Sequence, residues 1–501
     1  MSDWPRVLNA YEFFLGDRLR EGRGDRVALR LDDRTVTYAE VDARVSGMAL
    51  ALAERGVTRE DRVLIVMPDG LDFVASLFAI FRLGAVVVMV NPGLTSEALG
   101  ALVRRARAAV AVVHPEHVAS FAEAAGEDSP PVVEVGPGDD LPEGEVETTA
   151  TGPGDPAIWL FSGGTTGIPK AAVQTHRSLV NTTRLYGHGI LGLTEEDITM
   201  SVPKLYFGYA TGSNLLFPFS VGASAVLFEE HPTPKALFSR IADHRPTVLV
   251  NVPSAINQML SHRGAADQDL SSLRFATSAG EALPETLYHR WKDTFGVELL
   301  DGLGTAEMWH IFISSRLGDV KPGTLGRVVP GFEIKACDEE GNEVPSGEVG
   351  RLWVRGESLA LGYWEDPDKT TEAFRGEWFV GGDLVSIDED GYVTHRGRAD
   401  DAIKVKGKWF RPQELESTLL DHPAVKECAV VAVEDEAGLA RPVAFVVPEG
   451  APAEQELIDW VLGHLEAYKH PRRVYFVDYL PQTHLGKVDR NALRGMVTGS
   501  S

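Results

Sequence analysis

The hydrophobic residues near the start of the chain follow helical spacing. Val41, Val45, Met48 and Leu52 recur every three to four positions, which predicts the apolar face of a helix. The preceding segment 37–40 carries the hydroxyl and the carboxylate of a capping box, an arrangement that satisfies the free amides of a first helical turn. We therefore expect a helix to begin within this segment.

A strand–helix–strand pattern follows along the chain. The apolar run 62–67 predicts a buried strand, 71–83 predicts a helix that Gly84 ends, and 85–90 predicts a second strand. A helix that connects two strands in this way makes them parallel neighbours.

Three further apolar runs, at 157–161, 223–228 and 248–250, predict more buried strands. The segment 125–156 is rich in glycine, proline and acidic residues, so we expect a surface connection there. The first part of the chain thus has the order of an α/β domain.

The pattern changes again toward the C-terminus. Charged and glycine-rich turns separate short alternating runs such as 350–355, which is typical of a small antiparallel β subdomain, here at about 320–397. The remaining residues, 398–501, have their own strand-like runs at 425–433 and 442–447. We therefore expect an α/β protein with a large N-terminal domain of α/β subdomains, which includes the β subdomain and extends over 1–397, and a small α+β C-terminal domain.

Composition and charge narrow the class of function. Of the 501 residues, 44% are hydrophobic and 24% are charged, which is typical of a globular protein rather than a disordered or fibrous one. Acidic residues outnumber basic residues by 73 to 48, giving a formal net charge of −25. Such a chain repels polyanions, which argues against a general nucleic-acid binder. An anionic ligand must therefore be held by a local site.

The cysteines and the apolar segments indicate a cytoplasmic protein. Cys337 and Cys428 are far apart and no CxxC pair occurs, so neither a disulfide scaffold nor a zinc ribbon is expected. Residues 1–10 lack the basic and apolar regions of a secretory signal. The most apolar window, 73–90, contains Arg82, so it predicts a helix and a strand rather than a membrane span.

A segment rich in glycine and threonine, 161–170, follows an apolar run. Glycines let the backbone approach a ligand closely and turn its amides inward, while hydroxyl and ammonium groups donate to phosphates. The segment lacks the GxxxxGK[ST] order of the common P-loop, and its other interpretation is a flexible surface turn. The residues that would hold a polyphosphate are Ser162, Gly163, Gly164, Thr165, Thr166, Gly167 and Lys170.

This segment resembles the phosphate-binding signature of the adenylate-forming superfamily, which includes acyl-CoA synthetases, peptide-synthetase adenylation domains and luciferases. Two positions depart from the commonest form. Gly163 stands where serine or threonine is usual, and Ala171 follows the lysine where glycine is usual. The resemblance implies an ATP-dependent reaction in which Thr165 and Thr166 contact the phosphates during catalysis.

Residues 301–307, Asp-Gly-Leu-Gly-Thr-Ala-Glu, resemble the superfamily motif whose glutamate, here Glu307, binds Mg²⁺ and acts in catalysis. A divalent cation and a carboxylate together organise the phosphates of ATP. Ala306 stands where threonine is usual, so the hydroxyl contact with the α-phosphate is either absent or made by Thr305.

Other positions match superfamily contacts with the nucleotide. Asp383 matches the aspartate that accepts hydrogen bonds from both ribose hydroxyls, a role that suits a carboxylate, and Arg398 matches a second contact. Residues 280–282 resemble the stretch that lies against adenine, and Asp301 stands where an acceptor for the adenine amino group is expected. The resemblance thus assigns nucleotide binding to Gly280, Glu281, Ala282, Asp301, Gly302, Thr305, Asp383 and Arg398.

The segment 480–488 resembles the motif that carries the adenylation lysine, here Lys487. Its charge would stabilise the negative charge that develops on the α-phosphate. Asp400 falls at the hinge position of the superfamily, where a mobile C-terminal domain rotates between two half-reactions. The rotation would bring Gly407 and its neighbours toward the thiol of CoA.

Two aromatic-rich segments, 204–212 and 308–312, resemble the acid pocket of benzoate-CoA ligases, although each alone is also typical of an ordinary hydrophobic core. A flat apolar slot favours an aryl ring over a polar amino acid. Gly208 is smaller than the alanine of benzoate-CoA ligases, which predicts room for a hydroxyl or amino substituent on the ring. The candidate acid-binding residues are Lys204, Gly208, Tyr209, Ser278, Ala279, Gly304, His310 and Ile311.

The sequence therefore predicts an ATP-dependent aryl-CoA ligase that uses ATP, Mg²⁺ and CoA. The nearest alternative is an aryl-acid adenylating enzyme that loads the phosphopantetheine of a carrier protein. A luciferase-type oxygenase and a nucleotide-binding module without catalysis are weaker alternatives, because nothing marks oxygen chemistry and the superfamily's catalytic set is present. Similar enzymes suggest a homodimer, and neither nucleic acid nor membrane is an expected partner.

Overall fold

The computed structural model describes residues 4–162, 170–399, 403–405, 408–410, 412–434, 440–481 and 488–498. Its strands in the first two thirds of the chain are β1 (Val27–Arg30), β2 (Thr35–Thr37), β3 (Arg62–Val66), β4 (Val86–Val90), β5 (Val110–Val113), β6 (Val132–Glu134), β7 (Pro156–Ser162), β8 (Lys170–Thr175), β9 (Ile198–Ser201), β10 (Ser224–Val226), β11 (Val248–Asn251), β12 (Phe275–Ser278), β13 (Leu299–Gly304), β14 (Ile311–Ser314) and β15 (Arg327–Val328). The later strands are β16 (Glu333–Cys337), β17 (Val349–Arg355), β18 (Phe374–Arg375), β19 (Trp378–Ile387), β20 (Val393–Arg398), β21 (Ile403–Val405), β22 (Lys408–Phe410), β23 (Val425–Glu434), β24 (Ala440–Pro448) and β25 (Val474–Phe476).

The α-helices lie between these strands and cover their faces. They are α1 (Asp17–Arg20), α2 (Tyr38–Glu54), α3 (Leu71–Arg82), α4 (Ser96–Ala106), α5 (Val118–Ala125), α6 (His176–Thr182), α7 (Gly208–Thr211), α8 (Phe217–Val221), α9 (Pro234–His244), α10 (Pro253–Leu260), α11 (Glu285–Phe295), α12 (Pro367–Ala373), α13 (Pro412–Leu420), α14 (Glu454–His464) and α15 (Arg490–Thr498). Among the residues that the structure describes, no helix is both long enough and apolar enough to cross a bilayer.

Two large sheets lie in the first of two compact units, which comprises Met1–Ile334 and Val354–Phe379. One has the order β6-β5-β3-β4-β7-β8 and is parallel except for the pair β7–β8. The other has the order β15-β14-β13-β12-β11-β9-β10-β1-β2 and is parallel between β13 and β1. Parallel strands bring their carboxyl ends to one edge, the edge at which α/β proteins bind ligands.

The elements predicted in the first part of the chain are confirmed. The βαβ unit is β3, α3 and β4, with the two strands parallel. At the start of α2, the amide of Glu40 donates to the Thr37 hydroxyl at 3.2 Å. In return the Thr37 amide donates to the Glu40 carboxylate at 2.7 Å. Gly84, which follows α3, has φ +68°, a left-handed conformation that favours glycine.

The prediction that 125–156 is a surface connection was wrong in part. The segment contains β6, which pairs in parallel with β5, and the side chains of Val133 and Val135 are buried. The strand has only three residues, which is too short to show an alternating pattern among the surrounding glycines, prolines and acidic residues.

Each large sheet is backed by helices through an apolar core. One core packs β9, β11 and β12 against α9, α10 and α11, with Trp291 fully buried at its centre. Another packs β3, β4 and β5 against α4 and α5, and it includes Trp159 and Phe121. Both sheets are therefore rigid supports for the loops at their strand ends.

The second unit comprises Lys335–Trp353 and Val380–Ser501. Its three-stranded sheet has the order β23-β24-β25, with α13 and α14 on one face and α15 on the other. The dividing positions between the units fall within β16, β17 and β19. The predicted boundary at 397 and 398 stays a prediction, and the predicted hinge, Asp400, lies outside the described residues.

Candidate active site

The predicted phosphate-binding segment connects two antiparallel strands. β7 ends at Ser162 and β8 begins at Lys170, and these two residues are partners in the strand register. The residues between them lie outside the described part of the chain; they include Gly163, Gly164, Thr165, Thr166 and Gly167. The structure therefore describes only the two ends of this segment, at Ser162 on β7 and at Lys170 on β8.

Tyr363 contacts both Lys170 and Glu307, the carboxylate predicted to bind Mg²⁺. Its Nζ is 5.1 Å from the centroid of the Tyr363 ring, and the Tyr363 hydroxyl donates a buried hydrogen bond of 2.6 Å to Oε1 of Glu307. Glu307 is only 5% exposed. Burial and the negative charge of Glu307 raise the pKa of the Tyr363 hydroxyl, so it stays a hydrogen-bond donor at neutral pH.

Sequence reasoning missed Tyr363, and the fold explains its position. The backbone at 361–364 runs along β8, because Leu361 N donates to Val173 O at 2.9 Å and Trp364 N donates to Ala171 O at 2.9 Å. In the same region Ala360 N donates to the carbonyl of Glu307 at 2.8 Å. A single tyrosine in a turn-rich stretch gave no signal of this contact.

The predicted adenine-binding residues lie at the carboxyl end of β12 and beside it on β13, next to the end of β11. Asn251, Ser278 and Asp301 are successive partners across β11, β12 and β13. Ser278 and Ala279 are buried. Beyond them, Glu281 accepts hydrogen bonds from the amide of Ser254 at 3.0 Å and from its hydroxyl at 3.2 Å, which fixes the loop that contains Gly280 and Ala282.

Asp301 is a buried carboxyl group with an unusual pKa. It is 6% exposed and its Oδ1 has no hydrogen-bond partner among the described residues. Burial raises its pKa to about 8, since the charged form is disfavoured away from water. The group is therefore largely protonated at neutral pH in the unliganded protein.

The glycines of the 301–307 motif allow two strands to approach closely. A Cβ atom on Gly302 would lie 2.9 Å from the carbonyl oxygen of Ile313, and one on Gly304 would lie 2.5 Å from that of His310. Such distances exclude any larger residue without a backbone shift. Next along the chain, the buried Thr305 hydroxyl has no hydrogen-bond partner among the described residues, so it is available to a ligand.

His310 is a buried, neutral ring. Its Nε2 lies 3.0 Å from the carbonyl oxygen of Tyr209, and its ring is packed against Tyr186 and Phe217 at centroid distances of 5.6 and 4.8 Å. Burial lowers its pKa to about 4. Because a carbonyl only accepts, Nε2 carries the proton and Nδ1 is the bare nitrogen. His310 can thus form an uncharged aromatic wall.

The other predicted acid-binding residues are held near this ring. The Tyr209 hydroxyl is 2.6 Å from the Thr277 hydroxyl, and Ile311 is the strand partner of Gly304. The space expected beside Gly208 is filled, because a Cβ atom there would lie 2.7 Å from Cδ1 of Leu160. The expectation that the glycine leaves room for a ring substituent was therefore wrong at this point.

Lys204 is engaged by the protein itself. Its Nζ donates to the carbonyl oxygen of Phe228 and lies 3.7 Å from the centroid of the Phe228 ring. Burial lowers its pKa to about 8. The next residue, Leu205, donates its amide to Asp69 at 2.8 Å, so this lysine and its neighbour anchor the start of the aromatic segment 204–209.

Two predicted nucleotide contacts belong to the second compact unit. Asp383 and Arg398 are partners across β19 and β20, with Nη1 of the arginine 3.6 Å from Oδ1 of the aspartate. His395 Nε2 lies 3.2 Å from the same oxygen. Gly407 and Lys487, like the hinge residue Asp400, lie outside the described residues.

Comparison with protein-family models gives two matches. Residues 17–364 match the model described as AMP-binding enzyme, and residues 414–487 match its C-terminal domain. This chain belongs to the AMP-binding enzyme family. The phosphate segment and the 301–307 motif fall within the first match, and Lys487 is the last residue of the second.

Relatives of this AMP-binding enzyme cover its full length. It is 40% identical to the benzoate–CoA ligase of Thauera aromatica over 98% of this chain and 96% of that one. Among solved structures it is similar to the anthranilate CoA ligase AuaEII in complex with anthranoyl-AMP, with a TM-score of 0.94, 36% identity and full coverage of both chains. It is also similar to a benzoate CoA ligase from Burkholderia xenovorans LB400, with a TM-score of 0.90, 37% identity and coverage of 97% and 100%. The adenylate-forming fold predicted from the motifs is thus confirmed.

The buried Asp301 of this AMP-binding enzyme predicts a pH dependence of stability. Its folded pKa of about 8 lies above its ordinary value of 3.8. The proton therefore stabilises the fold fully below about pH 4, and this contribution is lost as the pH rises to 8. Asp301→Asn, which cannot ionise, should reduce the fall in melting temperature between pH 6 and pH 9 by roughly 2–3 °C.

Thermal unfolding of the unliganded protein across this pH range measures the effect. Asp293→Asn on the exposed face of α11 is the matched control and should follow the wild-type curve. Parallel curves for wild type and Asp301→Asn would show that burial does not raise the pKa of this group.

Proposed function

We propose that this protein is an ATP-dependent aryl-CoA ligase that activates a benzoate-type acid. The enzyme is an AMP-forming acid–thiol ligase, and two of its full-length relatives are benzoate–CoA ligases by name. The observation that carries the proposal is the contact of Lys170, Tyr363 and Glu307 at the base of the phosphate segment, in the same compact unit as the aromatic wall around His310.

In the first half-reaction, an oxygen of the aryl carboxylate attacks the α-phosphorus of ATP, and the bond to pyrophosphate breaks. No protein nucleophile is needed, because the substrate carboxylate is already an anion. Thr165 and Thr166 donate hydrogen bonds to the phosphates, and Lys170 adds a positive charge. Lys487 stabilises the negative charge that builds on the α-phosphate in the transition state.

The residues present fit a Mg²⁺ ion that arrives with ATP. Magnesium in nucleotide sites is held by one or two carboxylates together with substrate phosphates and water, and Glu307 is a buried carboxylate beside the phosphate segment. When bound, the ion neutralises phosphate charge, and Glu307 orients it.

The remaining contacts orient the nucleotide. The protonated Asp301 and the loop 280–282 face the adenine, and Asp383 accepts hydrogen bonds from the ribose hydroxyls with Arg398 beside it. The unpartnered hydroxyl of Thr305 takes the place of the missing threonine hydroxyl at position 306.

The acid site is an apolar slot for an aromatic ring. Its walls are the neutral imidazole of His310, Tyr209 and Ile311, with Ser278, Ala279, Gly208 and Gly304 on the strand and helix ends between them. Lys204 acts through the segment that it anchors. A neutral wall favours a flat uncharged ring and excludes a second charged group on the substrate.

In the second half-reaction, the C-terminal domain over 398–501 rotates about Asp400 relative to 1–397 and brings Gly407 to the site. The thiolate of CoA attacks the acyl carbon, and the bond from that carbon to the AMP oxygen breaks. The products are the aryl-CoA thioester and AMP. We place this reaction in the cytoplasm, where both free cysteines stay reduced, and in a homodimer.

Release of AMP from Mg·ATP, CoA and a panel of aromatic and short aliphatic acids tests the proposal. We expect CoA-dependent AMP release with benzoate or a simply substituted benzoate and none with aliphatic acids. Exchange of pyrophosphate that depends on an aryl acid, without turnover of CoA, would instead indicate transfer to a carrier protein.

A further inference from the structure

We infer that Leu160 is a specificity-determining residue of the acid pocket and that it replaces the side chain that Gly208 lacks. The inference rests on the proposed function and deepens it. It predicts an acid whose ring carries no substituent on the side that faces Gly208.

A side chain at position 208 would occupy the space that Leu160 already fills. A Cβ atom on Gly208 would lie 2.7 and 2.8 Å from the two terminal methyl carbons of Leu160, and 3.4 Å from its Cγ. Real Cβ atoms essentially never show contacts below 3.0 Å, so an alanine at position 208 would require the methyl groups of Leu160 to shift from their present place. This part of the wall is therefore made by the leucine.

The strand alternation explains why Leu160 points this way. Trp159 and Phe161, its neighbours on β7, belong to the core that packs against α4 and α5. Since successive side chains of a strand project to opposite faces, Leu160 projects away from that core. It directly precedes the phosphate segment 161–170 and lies against Gly208, the first residue of α7.

The helix start on the other side of this contact is fixed. The Tyr209 hydroxyl lies 2.6 Å from the Thr277 hydroxyl, and His310 donates to the Tyr209 carbonyl at 3.0 Å. Gly208 therefore has little freedom to move away, and the size of residue 160 sets the free space beside the aromatic ring of the substrate.

Shortening Leu160 tests the inference. In Leu160→Val and Leu160→Ala, the ratio of kcat/KM for a methylbenzoate to that for benzoate should rise about tenfold or more for one ring position, because a single methylene in a pocket changes discrimination by this order. Ortho-, meta- and para-methylbenzoate identify the position. Ile158→Val, a fully buried residue on the same face of β7, is the matched control and should leave the ratios unchanged.

Melting temperatures of further variants test, without any substrate, whether side chains at positions 160 and 208 occupy the same space. Gly208→Ala should lower the melting temperature, and Gly208→Ala combined with Leu160→Val should recover much of the loss, whereas its combination with Ile158→Val should not. The inference would be overturned if Leu160→Val and Ile158→Val gave equal ratios of kcat/KM. It would also be overturned if Gly208→Ala combined with Leu160→Val did not recover the melting temperature. If the wild type uses no aryl acid, the proposed function fails and the pocket role of Leu160 fails with it, even where the recovery of stability is seen.

Discussion

Replacing Lys487 by alanine should slow formation of the aryl adenylate by about 100- to 1,000-fold, the usual effect of losing one group that stabilises transition-state charge. Thioester formation from supplied aryl-AMP and CoA should stay close to the wild-type rate. The reason is that the lysine acts on the α-phosphate while pyrophosphate leaves, and that charge no longer develops in the second step. Acid-dependent pyrophosphate exchange measures the first half-reaction, and CoA-thioester formation from aryl-AMP measures the second.

The control for this variant is Lys426→Ala, which removes an exposed lysine from β23 in the same compact unit. It should leave both half-reactions unchanged. Loss of both half-reactions in Lys487→Ala, in a protein that unfolds at the wild-type temperature, would contradict the assigned role.

Replacing Glu307 by glutamine should slow adenylation by about 100-fold and raise the Mg²⁺ concentration needed for half-maximal rate. The amide keeps the shape of the side chain and still accepts the hydrogen bond of Tyr363. The decrease in the adenylation rate therefore measures the effect of removing the negative charge. Tyr363→Phe should slow adenylation by about 10- to 100-fold, since a hydrogen bond to a charged group contributes about 1.5–3 kcal/mol. Its ring, and so its contact with Lys170, remains.

A second tyrosine–glutamate pair in the chain provides the control. Tyr288 donates to Oε1 of Glu298 at 2.7 Å, at the opposite end of β13 from the motif. Glu298→Gln and Tyr288→Phe should leave adenylation and its Mg²⁺ dependence unchanged. Calorimetric titration with ATP, with and without Mg²⁺, provides a readout other than turnover. An unchanged Mg²⁺ dependence in both Glu307→Gln and Tyr363→Phe would contradict the metal-orienting role.

The charge state of the buried groups shapes the proposed acid pocket. His310 is neutral because burial lowers its pKa to about 4. A pocket wall without an imidazolium favours an uncharged ring and leaves the substrate carboxylate to be matched by the positive charge of the phosphate segment. This agrees with relatives whose names specify benzoate and anthranilate.

Features that depend on residues near one another in the chain could be predicted from the sequence. The capping box at Thr37, the parallel βαβ unit and the stop at Gly84 follow from local spacing and are confirmed. The phosphate segment at 161–170 and the motif at 301–307 could be recognised because each is a run of consecutive residues that resembles a motif of the family. Together they were enough to predict the family and the class of reaction.

Features that depend on contacts between distant segments could not be predicted. The hydrogen bond from Tyr363 to Glu307 joins residues 56 positions apart, and the strand pairing that creates it leaves no local pattern. The same holds for Leu160, which fills the space beside Gly208 only because β7 and α7 pack together. The pKa of Asp301 likewise follows from its removal from water. Packing and desolvation are properties of the folded chain, because they are set by neighbours that the linear order does not specify.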